Sequence, residues 1–139
     1  LDGVDPADAL RDGRAMDSWR ALIAAQGGDP SAPLPQAPEV EVVRSPTDGF
    51  VSSVDAYGIG VAAWRLGAGR ARKEDPVSAS AGVMLRKKPG DAVRTGDVLM
   101  ELRADTADRI PEAMPVATSA VVVSDTAPTA APLILERLV

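Results

Sequence analysis

The chain has 139 residues and a net charge of −5, is 45% hydrophobic and 3% aromatic, and contains neither cysteine nor histidine. This composition can supply the core of one ordinary domain, and it excludes disulfides, thiol nucleophiles and hydrolases that rely on a Ser-His or Cys-His pair. The acidic balance and the scarcity of aromatic rings also argue against a nucleic-acid partner, because such proteins use basic surfaces and stacking platforms.

The sequence carries no signal for a membrane or for export. No apolar run approaches the roughly 18 residues that a membrane span needs, and the N-terminus has no charged-then-apolar signal pattern. We expect a soluble protein, and the lack of cysteine is compatible with the cytoplasm. Because the chain begins with Leu1 and enters a helix almost at once, we expect it to be a segment of a longer protein.

Two helices are predicted in residues 1–28. Asp5 is a candidate N-cap followed by Pro6 at the first helical position, which predicts a short helix from Ala7 to Arg11. Asp12 can cap a second helix that ends at Gly27-Gly28. Its apolar residues share one face, namely Ala15, Met16, Trp19, Leu22 and Ile23. This stripe needs a partner, which is either the domain that follows or another part of a longer protein.

A proline-rich stretch separates this helical segment from the rest of the chain. Residues 29–38 contain Pro30, Pro33, Pro35 and Pro38, a composition that stiffens a linker into an extended conformation. We therefore place the domain boundary in residues 29–38 and expect residues 39–139 to form one domain.

The stretch from Ser45 to Asp75 organises that domain, because it contains a turn, a strand, a capped helix and a glycine loop in unbroken order. Phe50, Val51 and Val54 have the spacing of a strand. Asp55 can cap a helix that runs to Leu66 and is stopped by Gly67. One face of this principal helix is predicted to be buried, through Ile59, Ala62, Ala63 and Leu66.

Short strands are predicted on both sides of this helix. They are Glu39–Val43, Ala81–Lys87, Val98–Leu102, Ala120–Val123 and Leu133–Leu135. A short helix is predicted over Thr106–Met114, and Pro111 is expected to weaken it. The pattern predicts an α+β domain. A glycine turn followed by alternating residues occurs twice, at Gly49–Val54 and Gly96–Leu102, which favours a small barrel-sandwich made of two hairpin halves, of the α/β-hammerhead kind.

The glycine loop Gly67-Ala-Gly-Arg70 is the first candidate binding site. Consecutive backbone N–H groups beside an arginine suit an anion. A phosphate loop, however, precedes its helix, whereas this loop follows one and meets its negative end. We therefore interpret it mainly as a C-terminal cap, with Arg70, Arg72 and Lys73 as favourable charges that Glu74 and Asp75 could pair at the surface.

The remaining candidates are charged groups. Arg86-Lys87-Lys88 is most simply a solvated strand end, and its functional alternative is contact with an acidic neighbouring domain. The carboxylate pairs Asp105 with Asp108 and Glu39 with Glu41 could in principle serve acid–base or metal chemistry. Nothing in the spacing makes other ligands converge on them. We therefore predict no catalytic, cofactor-binding or metal-binding residue in this chain.

Several ordered runs together resemble one protein family. They are Asp48-Gly-Phe-Val-Ser-Ser-Val-Asp-Ala56, Gly58-Ile-Gly-Val-Ala-Ala63 and Leu66-Gly-Ala-Gly-Arg-Ala-Arg-Lys-Glu-Asp75, with Ala25-Gln-Gly-Gly-Asp29 upstream and Val83-Met-Leu-Arg-Lys-Lys-Pro-Gly-Asp91 and Gly96-Asp-Val-Leu99 downstream. From about Gly13 onward the chain resembles the C-terminal part of the thymidine and pyrimidine-nucleoside phosphorylases. Several ordered motifs are far harder to obtain by chance than one short match.

The resemblance implies an enzyme that reversibly phosphorolyses a pyrimidine nucleoside to the free base and a pentose 1-phosphate. Inorganic phosphate is its co-substrate, and it is usually a homodimer. The resemblance places the phosphate-binding and base-holding residues in the earlier part of such an enzyme. The chain would then be a structural, cleft-supporting domain whose partner is the N-terminal part, with residues 1–28 ending the helical domain.

A carrier domain is the alternative. The run Gly96–Ala107 resembles a lipoyl or biotinyl domain up to the hairpin where the modified lysine should stand. Thr106 stands there instead, so no amide to lipoate or biotin can form. The alternative is therefore a carrier-like or interaction module without a modifiable lysine.

Overall fold

The computed structural model describes residues 3–130, 132, 134, 136 and 137. The chain divides into two compact units, residues 1–34 and residues 35–139. This division falls inside the proline-rich stretch. The finer division into residues 1–28, 29–38 and 39–139 stays a prediction.

The described residues of the first unit form two helices. Helix α1 spans Pro6–Arg11, and its N-cap Asp5 accepts a hydrogen bond from the Ala7 N–H at 2.8 Å. Helix α2 spans Arg14–Ala25 and buries none of its residues. Its N-cap is Gly13, so the predicted Asp12 cap is wrong by one position. The Asp12 carboxylate nevertheless accepts the Arg14 N–H at 3.1 Å and so satisfies one donor of the first turn.

The described residues of the second unit form two antiparallel sheets of three strands each. In the first sheet, β5 (Val98–Ala104) lies between β1 (Glu39–Arg44) and β3 (Gly82–Leu85). Glu39 pairs with Ala104 at the start of β1. Because β5 is central, it contributes more buried residues than any other strand in the described residues.

The second sheet has β2 (Gly49–Val54) between β4 (Ala92–Val93) and β6 (Val121–Ser124). Gly49 begins β2 with φ 149°, and a Cβ at this position would lie only 2.5 Å from the Ser124 carbonyl oxygen. The close pairing of β2 with β6 therefore depends on glycine here.

Two helices pack with these sheets. Asp55 caps α3 (Ala56–Ala63) as predicted, accepting the N–H groups of Tyr57 and Gly58 at 3.0 Å each. A single π-helical turn, Trp64–Ala68, continues α3. Helix α4 spans Arg109–Ser119.

One core cluster joins the first sheet to both helices. Its fully buried members include Ala62, Leu66, Met100, Leu102, Ala104, Ala113 and Ala117. A smaller cluster of Val51, Val93 and Leu99 belongs to the second sheet. Alanines dominate the helix positions of the larger cluster, so the helices can approach the sheet closely.

The predicted α+β fold class is confirmed. The repeated glycine pattern at Gly49–Val54 and Gly96–Leu102 has a structural basis, because β2 and β5 are each the central strand of a sheet. The described strands form two separate sheets rather than a closed barrel. The closing strand predicted at Leu133–Leu135 has both its end residues outside the described part of the chain.

The helix predicted at Thr106–Met114 is shorter than α4 and ends before α4 does. Pro111 is the third residue of α4, where the backbone N–H has no intrahelical partner, so it does not weaken the helix. The helix also continues through Pro115 to Ser119. The described part of the domain therefore has two main helices rather than one.

The predicted buried face of α3 was partly wrong. Gly58, Ala62 and Leu66 are buried, whereas Ile59 and Ala63 are only half-buried. Gly60, in the same helix, is exposed. The 3.6-residue period of a helix is compatible with several residues at the centre of the buried face. In the folded domain, tertiary contacts place Ala62 at that centre.

Candidate functional site

The glycine loop lies beside a cleft at the carboxyl end of α3. Gly67 takes the left-handed φ of 113°, which ends the helical turn as expected for a C-terminal cap. The cleft has a volume of about 260 Å³. Its lining residues are Trp64, Arg65, Gly67, Gly69, Ala71, Asp75, Pro76, Arg109 and Glu112. We call it the glycine-loop cleft.

The loop is closed at its base by hydrogen bonds. The Ser78 N–H donates to the Gly67 carbonyl oxygen at 2.9 Å. The Ser80 hydroxyl donates to Asp105 Oδ1 at 2.6 Å, at the end of β5. Hydrogen bonds from Ser80, which has the larger effect, and from Ser78 hold the pKa of Asp105 below its ordinary value. These contacts attach residues 68–77 to the sheet as a loop with fixed ends.

The predicted surface pairing within this loop does not form. Asp75 uses Oδ2 to accept the backbone N–H of Arg72 at 2.8 Å, which makes a tight turn. Arg70, Arg72 and Lys73 are exposed. They follow the carboxyl end of α3, where positive charge is favourable.

The charges that line the glycine-loop cleft nearly cancel. Arg65 and Arg109 provide two guanidinium groups, and Asp75 and Glu112 provide two carboxylates. Arg65 already donates from Nη1 to the Glu112 carbonyl oxygen at 2.9 Å. The cleft therefore offers no excess of positive charge to hold a phosphate dianion.

The basic triplet lies at the end of β3, and two of its members are paired. Arg86 contacts Glu101 Oε1 at 2.6 Å, and Arg103 contacts Glu101 Oε2 at 2.6 Å. Lys87 donates to the Ala92 carbonyl oxygen at 3.2 Å. Hydrogen bonds from Arg103, which has the larger effect, and from Arg86 hold the pKa of Glu101 below its ordinary value. Arg86 and Lys88 are exposed, and these contacts favour the interpretation of the triplet as a solvated strand end.

The candidate carboxylates do not gather into a site. Glu39 and Glu41 are exposed on β1, where a second small cleft also contains Ile110 and Pro111. Asp105 is occupied by Ser80. Within the described ranges, no three acidic, histidine or cysteine side chains come together in a way that could hold a metal ion.

The structure also bears on the carrier alternative. Thr106 follows β5 and leads into α4, and its carbonyl oxygen accepts the Arg109 N–H at 3.3 Å. In a carrier domain the modified residue would stand at a hairpin tip. The position that corresponds to the modified lysine is thus neither a lysine nor on a hairpin.

Sequence reasoning missed three features around the cleft. Trp64 packs on Gly69 so closely that a Cβ there would lie 2.7 Å from Trp64 Cδ1. Arg109 lines the cleft from α4, and the Ser80–Asp105 bond spans 25 positions. The helical wheel of α3 could have shown that Trp64 lies opposite Ala62. The Arg109 and Asp105 contacts depend on tertiary structure and leave no local signal.

Among the described residues, no helix combines the length and the apolar character needed to cross a bilayer.

Comparison with known proteins identifies the family. Residues 50–124 match the model of the pyrimidine nucleoside phosphorylase C-terminal domain. Thymidine phosphorylase of Mycobacterium tuberculosis is 42% identical over all 139 residues, which cover 33% of that protein. Pyrimidine-nucleoside phosphorylases of Geobacillus stearothermophilus and Bacillus subtilis are each 42% identical, over 68% and 70% of this chain and 23% and 24% of theirs.

The chain thus spans about a third, or less, of the length of these relatives. The family match covers β2 to β6, which includes both central strands, α3, the glycine loop and α4. The chain belongs to the pyrimidine nucleoside phosphorylase C-terminal domain family.

Proposed function

We propose that this chain is the C-terminal part of an enzyme that reversibly phosphorolyses a pyrimidine nucleoside, giving the free base and a pentose 1-phosphate. The observation that carries the proposal is the family match over residues 50–124. The full-chain similarity to a thymidine phosphorylase supports it. Inorganic phosphate is the co-substrate in this proposal, and we place the enzyme in the cytoplasm as a homodimer.

In this proposal the chain supports the cleft and supplies no catalytic residue. Phosphorolysis has to hold a phosphate dianion against the anomeric carbon and stabilise the charge that moves onto the leaving base. That chemistry needs converging cations. The balanced charges of the glycine-loop cleft and the pairing of Arg86 with Glu101 support the assignment of the chemistry to the preceding part of the enzyme.

We further propose that residues 1–28 end the helical domain of the longer enzyme and that residues 29–38 link it to the domain of residues 39–139. The apolar stripe of α2 supports this organisation. Met16, Trp19 and Leu22 are 49%, 47% and 56% exposed. Such a stripe normally covers a core, so a neighbouring helical surface is its expected partner.

The test compares the 139-residue chain with the whole protein from the same reading frame. Each is mixed with thymidine or uridine and phosphate, and the free base is followed by chromatography. We expect base release only from the whole protein and only with phosphate. Turnover by the 139-residue chain on the order of 1 to 10³ per second would refute the assignment of the chemistry to the preceding part. A whole protein that releases no base would refute the proposed activity.

A further inference from the structure

One face of α3 is apolar and uncovered in the described structure. Helical periodicity places Tyr57, Gly60, Val61 and Trp64 on the same side of the helix. Tyr57 is 81% exposed and Trp64 is 45% exposed. A Cβ at Gly60 would meet no atom within 4 Å. We call this surface, made of Tyr57, Gly60, Val61 and Trp64, the α3 outer face.

The opposite side of the helix is already buried, through Gly58, Ala62 and Leu66. The eight residues of α3 include no charged side chain, so the helix is apolar all round. A helix of that kind is normally covered on every side. The α3 outer face also carries two of the four aromatic residues of the chain. It therefore has the character of an interface and not of a solvated surface.

The chemistry of the face indicates what covers it. Tyr57 and Trp64 offer aromatic rings, and the space around Gly60 is open. The face itself presents no charge for a phosphate or a nucleic acid. Its natural partner is an apolar protein surface.

The size of the α3 outer face distinguishes a second copy of the chain from a segment of the same polypeptide as its partner. A fully covered Tyr or Trp buries roughly 150 to 250 Å², so two rings fall well short of the roughly 800 Å² per partner of a stable association. A second copy of the chain would therefore bind weakly through this face alone. A segment of the same polypeptide needs no such area, because the covalent tether supplies a high effective concentration.

The relatives supply such a segment. The chain covers 33% of the M. tuberculosis thymidine phosphorylase, so two thirds of that protein lie outside the aligned region. We infer that the α3 outer face is the docking surface for a segment of the longer polypeptide that lies outside these 139 residues. This inference rests on the proposed function, because it takes the chain to be part of that longer enzyme.

Thiol labelling tests the inference, because the chain contains no cysteine. Tyr57→Cys places one thiol on the α3 outer face. Val122→Cys is the matched control, since Val122 is 50% exposed on the edge strand β6. Each variant is made in the 139-residue chain and in the whole protein. The modification rate of each introduced thiol is measured by mass spectrometry of its peptide.

We expect modification at position 57 to be at least about tenfold slower in the whole protein than in the 139-residue chain, with position 122 changing by less than about twofold. An equal rate at position 57 in both proteins would overturn the inference, as would equal slowing at both positions. Protection in the 139-residue chain that rises with its concentration would assign the face to a second copy, which also overturns it.

A stability measurement provides a second readout. Tyr57→Lys should leave the thermal midpoint of the 139-residue chain nearly unchanged, because the residue is exposed there, and should lower that of the whole protein. Neither readout depends on activity. An inactive whole protein with a protected position 57 would overturn only the proposed function, and an active one with a freely labelled position 57 would overturn only the docking surface.

Discussion

Gly58 of α3 lies directly against Ala120, which follows α4. A Cβ at Gly58 would stand 3.0 Å from the Ala120 Cβ and 2.9 Å from Asp55 Oδ2. The absence of a side chain at Gly58 is thus what lets the start of α3 approach the end of α4 while Asp55 caps the helix. We expect Gly58→Ala to reduce the free energy of unfolding by about 1 to 3 kcal/mol, through overpacking. Urea denaturation of the 139-residue chain measures it.

Gly60→Ala is the matched control on the same helix. Gly60 has open space around it and is not among the glycines with positive φ. We expect a gain in stability of roughly 0.5 to 1 kcal/mol, because alanine lowers the backbone entropy of the unfolded chain. If Gly58→Ala proved as benign as Gly60→Ala, the close approach at Ala120 would not be limiting.

A second pair of substitutions tests which alanine of α3 faces the core. Ala62 is fully buried in the main cluster, whereas its neighbour Ala63 is only half-buried. We expect Ala62→Phe to lower the thermal midpoint clearly, since an overpacked core position costs about 1 to 3 kcal/mol or more. Ala63→Phe should lower it less. The reverse order would contradict the observed face of the helix.

The bond between Ser80 and Asp105 should control the proteolysis of the glycine loop. Trypsin has cleavage sites at Arg70, Arg72 and Lys73, and residues 29–38 contain neither Arg nor Lys. We expect Ser80→Ala to speed cleavage in the loop, because the loop loses its anchor to Asp105, the residue that follows β5. First cuts inside β5 would contradict the proposed domain organisation.

Ser53→Ala is the control for this measurement, because it removes the same hydroxyl group from an exposed position on β2, outside the glycine loop. It should leave the rate of cleavage in the loop close to that of the unsubstituted chain. Equal rates for the Ser80→Ala and Ser53→Ala variants would show that the bond to Asp105 does not hold the loop.

Glu101 should contribute to the pH dependence of stability. The contacts of Arg103 and Arg86 hold the pKa of Glu101 below its ordinary value of 4.5 in the folded chain. The unfolded chain therefore binds more protons at this site, so the contribution is present above pH 4.5 and is lost as the pH falls through the folded pKa. Glu101→Gln should flatten the acid side of a plot of unfolding midpoint against pH.

Glu74→Gln is the control for the pH profile, because it removes an exposed carboxylate of the glycine loop. It should leave the shape of the plot close to that of the unsubstituted chain. A Glu101→Gln profile that overlaid the unsubstituted one would show that the Arg–Glu–Arg contacts add no pH-dependent stability.

The sequence was sufficient for features with local signals. The Asp55 cap, the strand after Gly49 and the glycine stop at Gly67 follow from capping and turn chemistry, and each is present. The repeated glycine pattern predicted two hairpin halves at β2 and β5, whereas the central position of each strand in its sheet is known only from the structure. The pattern of short strands on both sides of a helix then predicted the fold class.

Other features could not be predicted because they depend on exact helix boundaries or on contacts that only the folded structure brings together. Pro111 looked like a helix breaker, but its effect depends on where α4 begins. The exposure of Tyr57 and Trp64 requires knowing which face of an entirely apolar helix meets the sheet. The Ser80–Asp105 bond joins residues that only the fold brings together.

The order of strand pairing has a consequence for how the domain is made on the ribosome. β1 pairs with β5, and the paired residues Glu39 and Ala104 are 65 positions apart in the sequence. β2 cannot pair with β6 until Val121–Ser124 has emerged from the ribosome. During synthesis, α3 can form early, while both sheets wait for late segments to close long loops. The nascent domain therefore exposes the unpaired edge of β1 until β5 has emerged and that of β2 until β6 has emerged, and unpaired strand edges of this kind favour aggregation.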